Sequence, residues 1–179
     1  MDEKSLSQTH SPLLLKYLRA FESNRRSRVF APLAETYRKM GMLEKALEVC
    51  REGLKHNPQY VLGHLVLAQC YNDLDQKDLC FETLRPFVEE HRDNVVLQKL
   101  YVQVANLIGE KEEALQTAKY LLFVNPKDNE MAQIVKNLES KESSDRPNSV
   151  QSNDSTAINE DFSEADLDEW SLVNLGENT

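Results

Sequence analysis

A period of 34 residues restricts this chain more than any other feature. Gly41 and Gly109 stand 68 residues apart, as do Ala46 and Ala114, and Pro58 and Pro126, and 68 is twice 34. Around the first member of each pair the chain reads Phe30-x2-Leu33-Ala34-x2-Tyr37, then Ala46-x3-Cys50, then Asn57-Pro58. A middle copy reads His64-x2-Leu67-Ala68-x2-Tyr71, then Cys80-x3-Leu84, with Asp75 and Arg92 where the outer copies have Gly and Pro. The last copy reads Gln98-x2-Tyr101-Val102-x2-Ala105, then Ala114-x3-Ala118 and Asn125-Pro126, its small and large positions partly exchanged. Self-similarity at such a period marks a stack of like units that each bury a face against the next.

Within each unit the apolar residues recur at helical spacing, as in Leu43, Leu47, Cys50 and Leu54. Small side chains at Ala34, Ala46, Ala68 and Ala114 allow two helices to approach closely. Gly41 and Gly109 suit helix ends that need a positive φ, and Pro58 and Pro126 end second helices by withholding a hydrogen bond. The predicted body is eight helices.

These motifs resemble the tetratricopeptide repeat, whose helix pairs carry large, Leu, small and Tyr positions, then small and large, then Pro. The resemblance covers Ser27 to Asp128. It implies an all-α, right-handed solenoid of three helix pairs (27–60, 61–94 and 95–128). Ser11-Pro12 starts an N-terminal orphan helix within 11–26, with residues 12–23 packing on the helix of Phe30. Met131, Ile134, Val135 and Leu138 form the apolar stripe of a capping helix over 129–140, begun by Asp128 or Asn129. Residues 1–10 and 141–179 are expected to be disordered.

The resemblance also implies a concave groove, lined by first helices, that holds an extended peptide. Its residues are Arg28, Ala31, Glu35, Arg38 and Lys39 in the first repeat. The second supplies Leu62, Leu65, Gln69, Asn72 and Asp73, and the third Val96, Lys99, Gln103, Asn106 and Leu107. On this reading one end is basic, with Arg25 and Arg26 close by. Leu62, Leu65 and Val96 form an exposed apolar patch, and amides stand ready for a ligand's main chain. Members that bind chaperone tails grip a C-terminal carboxylate with Lys, Asn, Asn, Lys and Arg. Ala31, Glu35, Val66, Val96 and Leu100 occupy those positions, so that function is excluded.

Charge is uneven along the chain. From Ser140 onward there are ten acids and two bases, whereas the first 139 residues hold 20 acids and 19 bases. An acidic tail on a near-neutral body argues against nucleic acid and anionic membrane as partners. No signal peptide or membrane-length apolar run is visible. Three cysteines without CxxC spacing read as buried thiols in a reducing compartment, the cytoplasm. Metal-ligand spacings, nucleophile elbows and Gly-rich phosphate loops are missing, so neither enzyme activity nor a cofactor is expected. Cys80 and His91 would lie on one predicted helix roughly 16 Å apart in rise, too far to pair.

The tail carries one unusual segment near 162–175: Phe162, Leu167, Trp170, Leu172, Val173 and Leu175 among six acids from Glu160 to Glu169. It resembles acidic-Trp motifs that groove-forming repeat proteins bind, and it is expected to dock in this protein's own groove or in a partner's. The function these features point to is an adaptor holding a partner's extended or acidic segment. The competing reading is a secretion-type chaperone of the same fold, which does not usually carry so long an acidic tail.

Overall fold

The computed structural model describes residues 12–144. The tail segment and the N-cap expected at Ser11 lie outside them. Eight α-helices follow one another among the described residues: α1 Pro12–Ser23, α2 Phe30–Lys39, α3 Leu43–His56, α4 Val61–Asp73, α5 Lys77–Leu84, α6 Val95–Ile108, α7 Lys111–Val124 and α8 Asn129–Ser144. Each packs on the next in sequence, and α2 with α4 and α4 with α6 also meet across repeats. The result is a helical solenoid of three antiparallel pairs flanked by α1 and α8.

The pairs close where small residues meet. Ala34, Ala46, Ala68, Ala105, Ala114 and Ala118 are all fully buried, as the spacing of small side chains predicts. Leu14 and Phe21 of α1 are buried against Phe30 and Leu33 of α2, and Met131 and Leu138 of α8 against the last pair. Asp128 caps α8, its carboxylate accepting from the Met131 amide at 3.3 Å. That helix runs to Ser144, not to the expected 140.

The turn inside each pair is the same motif three times. Gly41 and Gly109 have φ of 75° and 94°, and Asp75, at the equivalent place, has φ of 59°. The amide two residues beyond each helix end reaches back to the last turn: Met42 to the Tyr37 carbonyl, Gln76 to Tyr71 and Glu110 to Ala105, each at 2.9 Å. This is a Schellman closure, which needs one left-handed residue. The repeat keeps that geometry even where the sequence departs from Gly, because Asp is among the side chains that tolerate it.

The second pair departs from expectation. Cys80 and His91 do not share a helix, because α5 stops at Leu84, a 3-10 turn covers Arg85–Phe87, and turns follow to Asp93. Pro86 is the cause: it lacks an amide hydrogen and its ring crowds the preceding turn. The carbonyls this break releases find a partner in Gln98, which is 1% exposed. Its side-chain amide donates to the carbonyls of Val88 at 2.7 Å and His91 at 3.1 Å. A polar residue at the large position of the third repeat therefore has a structural reason.

A second departure lies in the first pair. Phe30 is fully buried in a slot between Gly53 of α3 and Gly63 of α4. A Cβ added at Gly53 would stand 2.0 Å from the ring, and one at Gly63 2.6 Å from it. Tyr60 meets the same ring edge-on at 5.7 Å.

Candidate functional site

A cleft of about 430 Å³ opens across the first turns of α2, α4 and α6. Ala31, Pro32 and Glu35 come from α2, Leu62, Leu65, Val66 and Gln69 from α4, and Asn94 and Val96 from the start of α6. Five expected groove residues meet there: Ala31, Glu35, Leu62, Leu65 and Gln69, with Val96 opposite. Ala31, at 0% exposed, and Leu65, at 5%, form the floor and are not open surface as expected. Leu62 at 44% and Val96 at 57% stand up as exposed walls. Four of the five positions that would carry a carboxylate clamp (Ala31, Glu35, Val66 and Val96) line this cleft, which explains its apolar character.

Charges toward the other end of α2 are already used. The Arg38 guanidinium donates to Glu35 at 2.7 and 2.9 Å and to Asp73 at 2.6 Å, and Lys39 approaches Glu35 at 3.2 Å. Hydrogen bonding to Glu35 pushes the Arg38 pKa up, and the same bond from Arg38 holds the Glu35 carboxyl below its ordinary range. The four groups sum to zero charge. The expected basic end at Arg38 and Lys39 is thus a neutral network that ties the first repeat to the second.

The third repeat is engaged in a similar way. Lys99 pairs with Asp128 at 2.5 Å, and the Gln103 amide donates to Glu130 at 2.6 Å, so both side chains secure the capping helix. Bonding from Lys99 lowers the Asp128 pKa. The Asn72 side-chain oxygen accepts from Lys77 at 2.9 Å, and Asn106 and Leu107 are exposed beyond the cleft.

The cationic residues that stay available are at the loop before α2. Arg25 is paired with Glu52 at 2.6 Å, whereas Arg28 stacks over the Tyr60 ring at 5.1 Å. The Asn57 amide donates to the Arg26 carbonyl at 3.0 Å and fastens this loop to the end of α3. Sequence reasoning missed Pro32 and Asn94 in the cleft and the Tyr60 platform. Their positions, at or just ahead of the first turn of a first helix, carried the only available signal.

Among the described residues no group of His, Cys, Asp and Glu is arranged to hold a metal, and no helix is long and apolar enough to cross a membrane. Cys50, Cys70 and Cys80 are free and fully buried. Burial pushes the Cys80 thiol up to about 12, and a hydrogen bond to Cys70 together with burial raises that of Cys50. Neither is a poised nucleophile.

No protein-family model matches the sequence, and no curated protein does. Solved structures do. A crystal structure of MamA is similar over 80% of this chain and 86% of its own, with a TM-score of 0.65 at 14% identity. The protein TTC0263 of Thermus thermophilus, a thermophilic tetratricopeptide repeat protein, covers 73% of each chain with a TM-score of 0.57 at 22% identity. The first tetratricopeptide repeat domain of human RPAP3 matches 65% of this chain and 91% of its own, with a TM-score of 0.55 at 16% identity. With helix pairs, period and closures all agreeing, the described chain has the tetratricopeptide repeat fold.

Proposed function

We propose that the protein is a non-enzymatic interaction module of the cytoplasm that holds an extended peptide in the cleft between α2, α4 and α6. The observation that carries this reading is an apolar cleft with exposed walls at Leu62 and Val96 and a half-buried amide at Gln69. Exposed aliphatic side chains around a concavity cost solubility unless something covers them. An amide that both donates and accepts can satisfy one peptide unit of a bound strand. The free, buried thiols support residence in a reducing compartment.

We further propose that the chain's own segment 162–175 competes for this cleft and so regulates it. The linker of about 20 residues before it spans roughly 25 Å as a flexible coil, which gives a tethered motif an effective concentration on the order of millimolar. Trp170 is the only Trp and reports its own surroundings.

The test is titration of a synthetic peptide of residues 160–175 into the full chain and into the chain ended at Ser144. The shortened chain should bind the peptide more tightly, and Leu62→Glu or Val96→Glu should abolish binding in both. Binding untouched by either glutamate would move the site off the cleft. Equal affinities for the two chains, with Trp170 emission at the position of a water-exposed Trp, would remove the regulatory role of the tail.

A further inference from the structure

The deep charges of the groove cancel one another, so any selectivity for charge must come from elsewhere. The loop before α2 supplies it. Arg26 and Arg28 lie there, and among the described residues neither guanidinium is paired with a carboxylate, in contrast to Arg25 and Arg38. Arg28 is also held in place. It lies 5.1 Å over the Tyr60 ring, Tyr60 meets Phe30 edge-on at 5.7 Å, and Phe30 is wedged between Gly53 and Gly63. A guanidinium stacked on a rigid ring keeps its edge free, and that fork of donors matches a carboxylate with two parallel bonds. Because the side chain is already ordered, less rotamer freedom is lost on binding.

The platform adjoins the cleft. The Ala31 amide donates to the Arg28 carbonyl at 3.3 Å, and the Gly63 amide to the Tyr60 carbonyl at 2.9 Å. Arg28 and Tyr60 therefore stand one turn ahead of Ala31 and Leu62, which line the cleft. The N-terminal ends of α2 and α4 point the same way and add a modest preference for negative charge.

We propose that Arg28 on its Tyr60 platform, with Arg26, is a carboxylate-binding site that selects partner peptides carrying Asp or Glu beside the apolar residues seated in the cleft. The inference rests on the cleft reading, and it adds the chemistry that the cleft alone lacks: an acidic side chain at one end of an apolar anchor. Lysine in place of Arg28 would keep the charge and lose both the stack and the fork.

The experiment uses the full chain and two probes, the peptide of residues 160–175 and the same peptide with its six acids replaced by Asn or Gln. The chain's own tail is common to both titrations and cancels from their ratio. On the unsubstituted protein the acidic peptide should bind about tenfold more tightly, the gain expected for one charge-assisted pair, and the advantage should shrink with added salt. In Arg28→Glu the ratio should fall to one or below, and Arg28→Lys should lie between. A ratio near one on the unsubstituted protein, or one unchanged by Arg28→Glu, overturns the proposal. Leu62→Glu separates the two readings: loss of binding for both peptides upholds the cleft, whatever the ratio says about Arg28. Failure of both peptides to bind the unsubstituted chain would overturn both.

Discussion

At the scale of single residues, the Phe30 slot shows two general preferences in conflict. Alanine is favoured over glycine inside a helix by about 1 kcal/mol. At Gly53, however, the new methyl would stand 2.0 Å from the Phe30 ring. Overpacking a closed core costs about 1–3 kcal/mol, so Gly53→Ala should lower stability in chemical denaturation despite its better propensity. Adding Phe30→Leu should recover part of the loss, since the two sites couple through one contact. Additive effects would show that the ring does not fill the slot. Asp75 offers the opposite case. With φ of 59° and a side chain that is largely exposed, it holds a left-handed position that costs L-residues about 1 kcal/mol. Asp75→Gly should raise the melting midpoint, offset in part by glycine's freer unfolded state.

At the scale of elements, the short α5 and the buried Gln98 form one unit. Gln98→Leu keeps the volume and leaves the carbonyls of Val88 and His91 unpaired, a loss of about 1–3 kcal/mol. Restoring the helix with Pro86→Ala in the same chain should reduce that loss, measured as the difference between two denaturation curves. The helix pairs themselves were legible in the sequence, because Ala46, Ala114, Gly41 and Gly109 each have one physical role that fixes their place. The α5 break was also written there, as Pro86, but the regular period at Cys80 and Leu84 drew attention away from it. Charge was the least legible property. Arg38 reads as a free cation in one dimension, and only the crossing of α2 and α4 brings Asp73 to it. Likewise Ala31 and Leu65 read as groove surface, yet both are buried, because the cleft floor and the core share the same helices.

At the scale of the whole molecule, the Glu35–Arg38–Asp73 network joins the first repeat to the second and makes their docking sensitive to acid. The Glu35 pKa is depressed from an ordinary value of 4.5 by its bond with Arg38. A depressed carboxyl contributes stability that is complete above its unfolded value and lost as pH falls through its folded one. Melting of the unsubstituted protein should therefore weaken below about pH 4.5, and Glu35→Gln should remove that part of the acid dependence while lowering stability near neutrality. An identical pH profile for both proteins would place the acid sensitivity elsewhere. Thiol chemistry gives a second view: all three cysteines are buried in the first two repeats, so a thiol reagent should label the native protein slowly, at the rate at which those repeats open. The left-handed stops at Gly41, Asp75 and Gly109 divide the chain into equal lengths, so a duplication or loss of one whole unit would preserve the backbone register. The side chains do not share that freedom. Phe30 needs glycines from its own pair and the next, and Gln98 answers a proline in the pair before it. The array is periodic in its main chain and ordered in its side chains: each unit carries the address of its neighbours, and descent by copying has left repeats that cannot be shuffled.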